Sequence, residues 1–166
     1  MKQAGFSLLE LCIVIALVAL LATIGLITFP SYDRLFVHTE LDRLYTVFLA
    51  CAHKAIATNT VQTILFDIKN NSYILDNISH PLTQHVCFGF IPKSSGPPAH
   101  PVQPIEDAVT FVHQQALFYP DGKIQAGTIY LTDTDKQNMF ALTSAVGQVS
   151  YVRRYRYTAN AWELII

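Results

Sequence analysis

The chain has 166 residues, of which 51% are hydrophobic and 14% are charged, and its formal net charge at pH 7 is −1. This near-neutral balance gives no global electrostatic argument for a nucleic-acid-binding protein. The length is enough for one domain of ordinary size in addition to a terminal anchor.

The first thirty residues carry the strongest signal in the sequence. A short leader, residues 1–5, precedes Phe6-Ser7-Leu8-Leu9-Glu10 and an apolar run that reaches Phe29. A membrane-spanning helix needs roughly 20 apolar residues to cross about 30 Å of hydrocarbon. We therefore predict a leader at 1–5 and the transmembrane half of a helix at 6–29. Lys2 and the amino terminus favour a cytoplasmic start, with the remainder of the chain outside.

Glu10 interrupts the apolar block. A charge inside a membrane helix costs roughly 2.5–3.5 kcal/mol on insertion scales, so such a residue usually has a partner. Cleavage after Gly5 would remove only the leader and would create a new amine on Phe6. Phe6 and Glu10 are four residues apart, which places them at one end and on nearly one face of a helix. Two copies offset by about one turn could then pair amine with carboxylate.

The residues from Gly5 to Glu10, followed by an apolar run, resemble the prepilin signature of type IV pilins and type II secretion pseudopilins. The resemblance implies cleavage after Gly5 by a membrane prepilin peptidase, N-methylation of Phe6, and a role for Glu10 in setting the register with the adjacent subunit. It implies as partners other pilin-like subunits, the inner membrane and a secretion or pilus assembly platform. The alternative is a plain single-pass anchor in which Glu10 has no role.

An amphipathic pattern follows Pro30. Apolar residues recur at spacings of three and four, which is typical of one buried helix face. The residues of this stripe are Val37, Leu41, Leu44, Phe48, Cys51 and Ala55. We predict that residues 30–57 form the amphipathic half of the helix and lay one side on a head domain. Pro30 either kinks this helix or separates two helices.

Beyond residue 57 the composition changes to β-branched and aromatic residues with turn signals between them. We predict a β-rich head over 58–166. The expected strands are 60–68, 72–76, 84–91, 109–114, 116–119, 127–133, 138–144, 148–157 and 161–166. Residues 109–114 and 116–119 form either one bent strand or two separate strands. Many short strands favour an antiparallel β-sandwich. The predicted fold class is α+β, with a long N-terminal helix packed on that head.

A proline-rich loop, residues 92–106, interrupts the strands. It contains five prolines and cannot be regular helix or a central strand. We expect it to be exposed and mobile. It is either a partner-binding or tip loop, or an insertion that the fold tolerates.

The later part of the head is similar to the GspH/FimT branch of minor pilins and pseudopilins. The similarity lies in Leu117-Phe118-Tyr119-Pro120-Asp121-Gly122, in Gly127-Thr128-Ile129-Tyr130-Leu131 and in Ala141-Leu142-Thr143-Ser144 with Gly147. It implies a β-sandwich packed on the helix. The chain departs from that family at Gly147-Gln148, where the family often has Gly-Arg.

Three cysteines are present, and Cys12 lies in the apolar run. A disulfide between Cys51 and Cys87 is chemically permitted if the head is periplasmic. The alternative is two buried free thiols, because a sequence does not reveal the separation of two Cα atoms. The six scattered histidines show no metal-ligand spacing, and we expect no metal and no cofactor.

The last long strand concentrates positive charge. Strand alternation places Arg154 and Arg156 on one face with Val152, and Arg153 on the other face among tyrosines. Arginine beside tyrosine suits phosphate contact and base stacking, so DNA is an alternative partner. The other interpretation is a strand whose arginines pair with nearby acids.

We predict a minor pseudopilin that serves as a structural subunit of a type II secretion pseudopilus, anchored in the bacterial inner membrane with a periplasmic head. The alternative is a FimT-like minor type IV pilin in pilus assembly or DNA uptake. GxSxG, HExxH and P-loop patterns are all missing from the sequence, so we expect no enzymatic activity.

Overall fold

The computed structural model describes residues 7–28, 32–96, 102–145 and 150–165. The chain divides into two compact units, residues 1–32 and 33–166. Pro30, where the sequence predicts a kink or a break, lies outside the described residues.

The first unit contains helix α1, Leu8–Thr28. Its sequence is apolar around the whole circumference. The predicted membrane span, residues 6–29, extends at each end beyond the residues that the structure describes. Within the described ranges, no helix combines the length and the hydropathy that crossing a membrane requires.

Helix α2, Tyr32–Thr58, begins at the last residue of the first unit, and the described residues of the second unit form nine strands after it. The strands are β1 Gln62–Asp67, β2 Ser72–Leu75, β3 Ile78–Pro81, β4 Val86–Phe88, β5 Gln115–Phe118, β6 Gly127–Asp133, β7 Met139–Ala145, β8 Tyr151–Thr158 and β9 Ala161–Ile165. They form two antiparallel sheets with the orders β3-β2-β1-β5 and β4-β6-β7-β8-β9. The predicted α+β class, a helix packed on antiparallel sheets, is confirmed.

The strand predictions differ from the structure in three places. Strand β3 was not among the predicted strands; it pairs with β2 through a turn at Asp76 and Asn77, where both residues have positive φ. The strand expected at 84–91 is shorter and covers only β4. The strand expected at 109–114 is replaced by one bridge, Val109 to Ile129, and a short 3-10 helix. His113 and Gln114 both have a φ of 56°. This left-handed backbone interrupts the extended conformation that a continuous strand requires.

The main core lies between α2 and the two sheets. The buried apolar residues of α2 are Val37, Leu41, Leu44, Phe48, Cys51 and Ala55, which confirms the predicted stripe in full. Phe48 is surrounded by other aromatic rings, with its centroid 5.1 Å from that of Phe118 and 6.4 Å from that of Phe66. These contacts make Phe48 a central residue of the core.

The proline-rich loop covers the opposite face of the second sheet. The chain enters this loop after β4, the strand that pairs with β6. It returns to the sheet at Ala108, whose carbonyl accepts a hydrogen bond from the Tyr130 N–H. Trp162 Nε1 donates to the Gly96 carbonyl at 2.6 Å and to the Ser95 carbonyl at 3.2 Å.

Several positions in this loop are buried, namely Ser94, Gly96 and Ile105. The expectation of an exposed loop is therefore wrong for these positions, because the outer face of the sheet is aromatic and the loop packs on it. Residues 97–101 lie outside the described part of the loop.

Candidate assembly site

Two reciprocal hydrogen bonds organise the N-terminal end of α1. The Ser7 N–H donates to Glu10 Oε2 at 2.9 Å, and the Glu10 N–H donates to Ser7 Oγ at 3.2 Å. This is a capping box, in which two backbone donors without helical partners are satisfied by the side chains of residues three apart. The Ser-x-x-Glu spacing is visible in the sequence, but the role predicted for Glu10 was only intermolecular.

The capping box orients the Glu10 carboxylate without using all of it. Oε2 accepts the hydrogen bond from Ser7, whereas Oε1 accepts none from any described residue. The negative charge also lies in the first helical turn, where the helix dipole favours it. Gly5 and Phe6, the predicted cleavage and methylation residues, lie outside the described residues. The site therefore offers a fixed and exposed carboxylate with one oxygen available to a further donor.

The rest of α1 presents apolar side chains. Leu8 is 81% exposed, Val18 is 61% exposed and Leu21 is 64% exposed. A helix that is apolar on all sides normally lies inside a larger assembly or in lipid. The apolar surface of α1 thus requires a covering that the described residues of its own compact unit do not supply.

A second glutamate, Glu40 in α2, is buried and was not singled out from the sequence. It is 1% exposed. Its Oε1 accepts from Arg43 Nη1 at 3.2 Å, and its Oε2 accepts from the Thr83 N–H at 3.3 Å and from the Thr83 hydroxyl. Arg43 also donates to the Pro81 carbonyl. This network joins α2 to the connection between β3 and β4 and has a structural role.

The three arginines of β8 do not share one surface. Arg154 Nη1 lies 2.5 Å from Asp42 Oδ1 on α2, and its guanidinium lies 4.6 Å from the centre of the Tyr45 ring. Arg156 is paired in register with Glu163 of β9. Arg153 is exposed and lies over the Tyr151 ring at 4.2 Å.

These positions follow from strand alternation, which sends successive side chains to opposite faces. Arg154 is engaged in holding β8 against α2, and Arg153 is the member of the group that faces solvent. The alternative interpretation in the sequence analysis, that the arginines pair with local acids, applies to Arg154.

Cys51 and Cys87 are separate free thiols in this structure, so the disulfide that the sequence permitted is not formed. Cys51 belongs to the main core. Cys87 lies between Val86 and Phe88, which both face that core, and alternation turns its own side chain to the other side of the sheet. Burial raises the pKa of the Cys51 thiol to about 11 and also raises the pKa of Cys87. Both therefore stay protonated at neutral pH.

The described residues contain no group of three or more His, Cys, Asp or Glu side chains that could hold a metal ion.

Comparison with known proteins bears on the N-terminal end of the chain. Residues 1–26 match the prokaryotic N-terminal methylation motif. The match supports a type IV pilin-like protein that is processed by prepilin peptidase and assembled with other pilin subunits. No curated protein and no solved structure matches the chain.

The matched stretch contains Gly5, Phe6 and Glu10, the three residues predicted from the sequence to serve in processing and assembly. It also contains the Ser7–Glu10 capping box and most of α1. The motif suggests a membrane-anchored pilin.

Proposed function

We propose that this type IV pilin-like protein is a minor pseudopilin, a structural and non-enzymatic subunit of a type II secretion pseudopilus. Prepilin peptidase would cut after Gly5, and the new Phe6 amine would be methylated. The chain would then assemble through α1. The observation that carries this proposal is the exposed Glu10 carboxylate, fixed at the start of an apolar helix within a matched methylation motif.

Assembly on this scheme is a charge-neutralisation step. An unpaired carboxylate in a membrane helix costs roughly 2.5–3.5 kcal/mol. The Ser7 N–H already holds Oε2, so the carboxylate cannot turn freely and Oε1 remains for an incoming donor. The Phe6 amine of a neighbouring subunit, offset by about one turn, is a cationic donor of the right charge. Charge-assisted hydrogen bonds of this kind are roughly twice as strong as neutral ones.

The apolar side chains of α1 complete the contact. Leu8, Val18 and Leu21 are not covered by the described residues of their compact unit, and packing them between subunits would replace lipid contacts by helix contacts. We place the precursor in the inner membrane, with the N-terminus cytoplasmic and the head periplasmic. The assembly platform would extract the subunit once Glu10 is neutralised.

Mass spectrometry of the native protein from membranes tests the processing. The expected N-terminus is N-methylated Phe6, and Gly5→Leu should leave the leader attached because the peptidase reads the residue before the cut. Recovery of unmodified protein that still begins at Met1 would overturn the proposal.

A minor type IV pilin with a role in DNA uptake is the second candidate. One observation favours it: Arg153 is exposed and lies over the Tyr151 ring, an arrangement suited to phosphate and base contact. A gel shift with double-stranded DNA tests it, using the full chain in detergent. A salt-sensitive shift that Arg153→Ala removes would support this candidate, whereas no shift at low salt would exclude it.

A further inference from the structure

An open cleft of about 600 Å³ lies where the proline-rich loop returns to the second sheet. Its walls are formed by the C-terminal part of the loop, by Thr110 and by Tyr130 of β6. The lining residues are Gln103, Pro104, Ile105, Glu106, Asp107, Thr110 and Tyr130. The cleft is on the sheet face that α2 does not cover, and none of the assembly residues contributes to it.

Two carboxylates at this cleft differ from the ion-paired acids elsewhere in the head. Asp42, Asp76 and Asp121 each form an ion pair with a basic side chain. Glu106 and Asp107 are exposed and form no ion pair with any described residue, although they are adjacent in the chain. Within the described part of the chain, the negative charge at the rim of the cleft therefore has no cation at ion-pairing distance.

The Tyr130 hydroxyl gives an independent indication of a missing partner. Tyr130 is 1% exposed and forms part of the cleft wall. Its hydroxyl is buried and makes no hydrogen bond to any described residue. Buried hydroxyl groups in native proteins are normally paired. Burial also raises the pKa of Tyr130, so the phenol stays neutral and has both a donor and an acceptor to offer.

We propose that this cleft binds an arginine side chain of a partner polypeptide. The guanidinium group carries five N–H donors in one plane, and the cleft wall contains two carboxylates and the Tyr130 hydroxyl as acceptors. The planar donors of arginine match two neighbouring carboxylates better than the compact ammonium of lysine does. The site is independent of Glu10, so it stands whether or not the chain assembles into a pseudopilus.

A titration of the full-length chain, ¹⁵N-labelled in detergent micelles, tests the site. The probe is the blocked tripeptide acetyl-Gly-Arg-Gly-amide, and the matched probe carries citrulline, which keeps the shape and loses the charge. We expect amide shifts at Glu106, Asp107 and Tyr130 with the arginine peptide. The citrulline peptide should bind at least about tenfold more weakly, because a charged hydrogen-bond partner contributes more than a neutral one.

Two variants and one control make the result specific. Glu106→Gln combined with Asp107→Asn should abolish binding, and both residues are exposed, so the fold should persist. Tyr130→Phe should weaken binding several-fold and leave the spectrum native-like. Asp135→Asn removes an exposed acid outside the cleft and should bind as the unmodified chain does.

Equal binding of the two peptides would overturn the proposal. Retained binding in the double variant would also overturn it, as would a loss of binding in Asp135→Asn as large as that in the double variant. Each of these outcomes would indicate general charge attraction or the absence of a site. Absence of any shift with the arginine peptide would also refute it.

Discussion

The two helices have opposite relations to their surroundings. Beyond Glu10, α1 is apolar on every side, and its large side chains from Leu11 to Leu21 are exposed. α2 has one apolar stripe, and all six of its residues are buried against the sheets. A one-sided stripe finds its cover inside the chain, whereas an all-round apolar surface needs cover from outside it. Substitutions in α1 should therefore affect assembly, and substitutions on the buried side of α2 should affect folding.

Each helix contains one glutamate that shows the same difference. Glu10 in α1 is exposed and has one engaged oxygen, whereas Glu40 in α2 is buried and both of its oxygens accept hydrogen bonds. A carboxylate whose acceptors are filled within the chain has a structural role. A carboxylate with a free oxygen remains available to a second molecule.

The largest effect is expected from Glu10→Leu, which should abolish incorporation into filaments while cleavage after Gly5 proceeds. The reason is that a neighbour's amine loses its charged partner. Quantifying sheared filaments and the mature N-terminus by mass spectrometry measures the two steps separately.

Glu10→Gln is the matched control for this prediction, because glutamine also completes a capping box but carries no charge. If charge pairing drives assembly, Glu10→Gln should fail as Glu10→Leu does. Normal assembly of the glutamine variant would show that the capping box, not the charge, is the function of Glu10.

Phe48→Ala should destabilise the head by about 3–5 kcal/mol, since it removes a fully buried ring from the centre of the main core. Urea unfolding followed by circular dichroism gives the free energy of unfolding. The neighbouring Leu49, which is 37% exposed, provides the control: Leu49→Ala should cost less than about 1 kcal/mol. Equal losses in the two variants would contradict the one-sided burial of α2.

The Cys51 thiol should make the head less stable in alkaline solution. Its pKa is raised from 9.0 in the unfolded reference to about 11 by burial, so the folded state holds the proton more tightly. The contribution of the protonated thiol to the free energy of unfolding is fully present below pH 9. It is lost as the pH rises from 9 to 11, which lowers that free energy by roughly 2–3 kcal/mol.

The difference in unfolding free energy between pH 8 and pH 11 should therefore be smaller in Cys51→Ala than in the unmodified chain. Comparing the two proteins removes the contribution of lysines and tyrosines that titrate in the same range. An identical pH dependence in both would show that Cys51 is not buried as described.

The smallest effect is expected from Ser7→Ala. Loss of one half of the capping box should cost about 1 kcal/mol of helix stability at the start of α1 and should leave the head unchanged. Hydrogen exchange at the Glu10 amide should become faster, because that N–H loses Ser7 Oγ as its acceptor. Unchanged exchange at Glu10 would argue against the box.

Local patterns in the sequence were good predictors here. The spacing of apolar residues identified the full buried stripe of α2, and the Gly5–Glu10 pattern identified the end that matches the methylation motif. Most strands were also found, because β-branched residues and turn signals act over a few positions. The capping box was equally local, since Ser7 and Glu10 are three residues apart, and recognition of that spacing would have predicted it.

The sequence by itself therefore determined the helix faces, most strands and the N-terminal motif, because each depends on neighbours within about two helical turns. Only the tertiary structure decided the burial of Glu40, the pairing of Arg154 with Asp42 and the packing of the proline-rich loop under Trp162. Arg154 and Asp42 are 112 positions apart, and Trp162 and Gly96 are 66 positions apart. The hydrogen-bond partners of these side chains lie far away in the sequence, and periodicity carries no information about such partners.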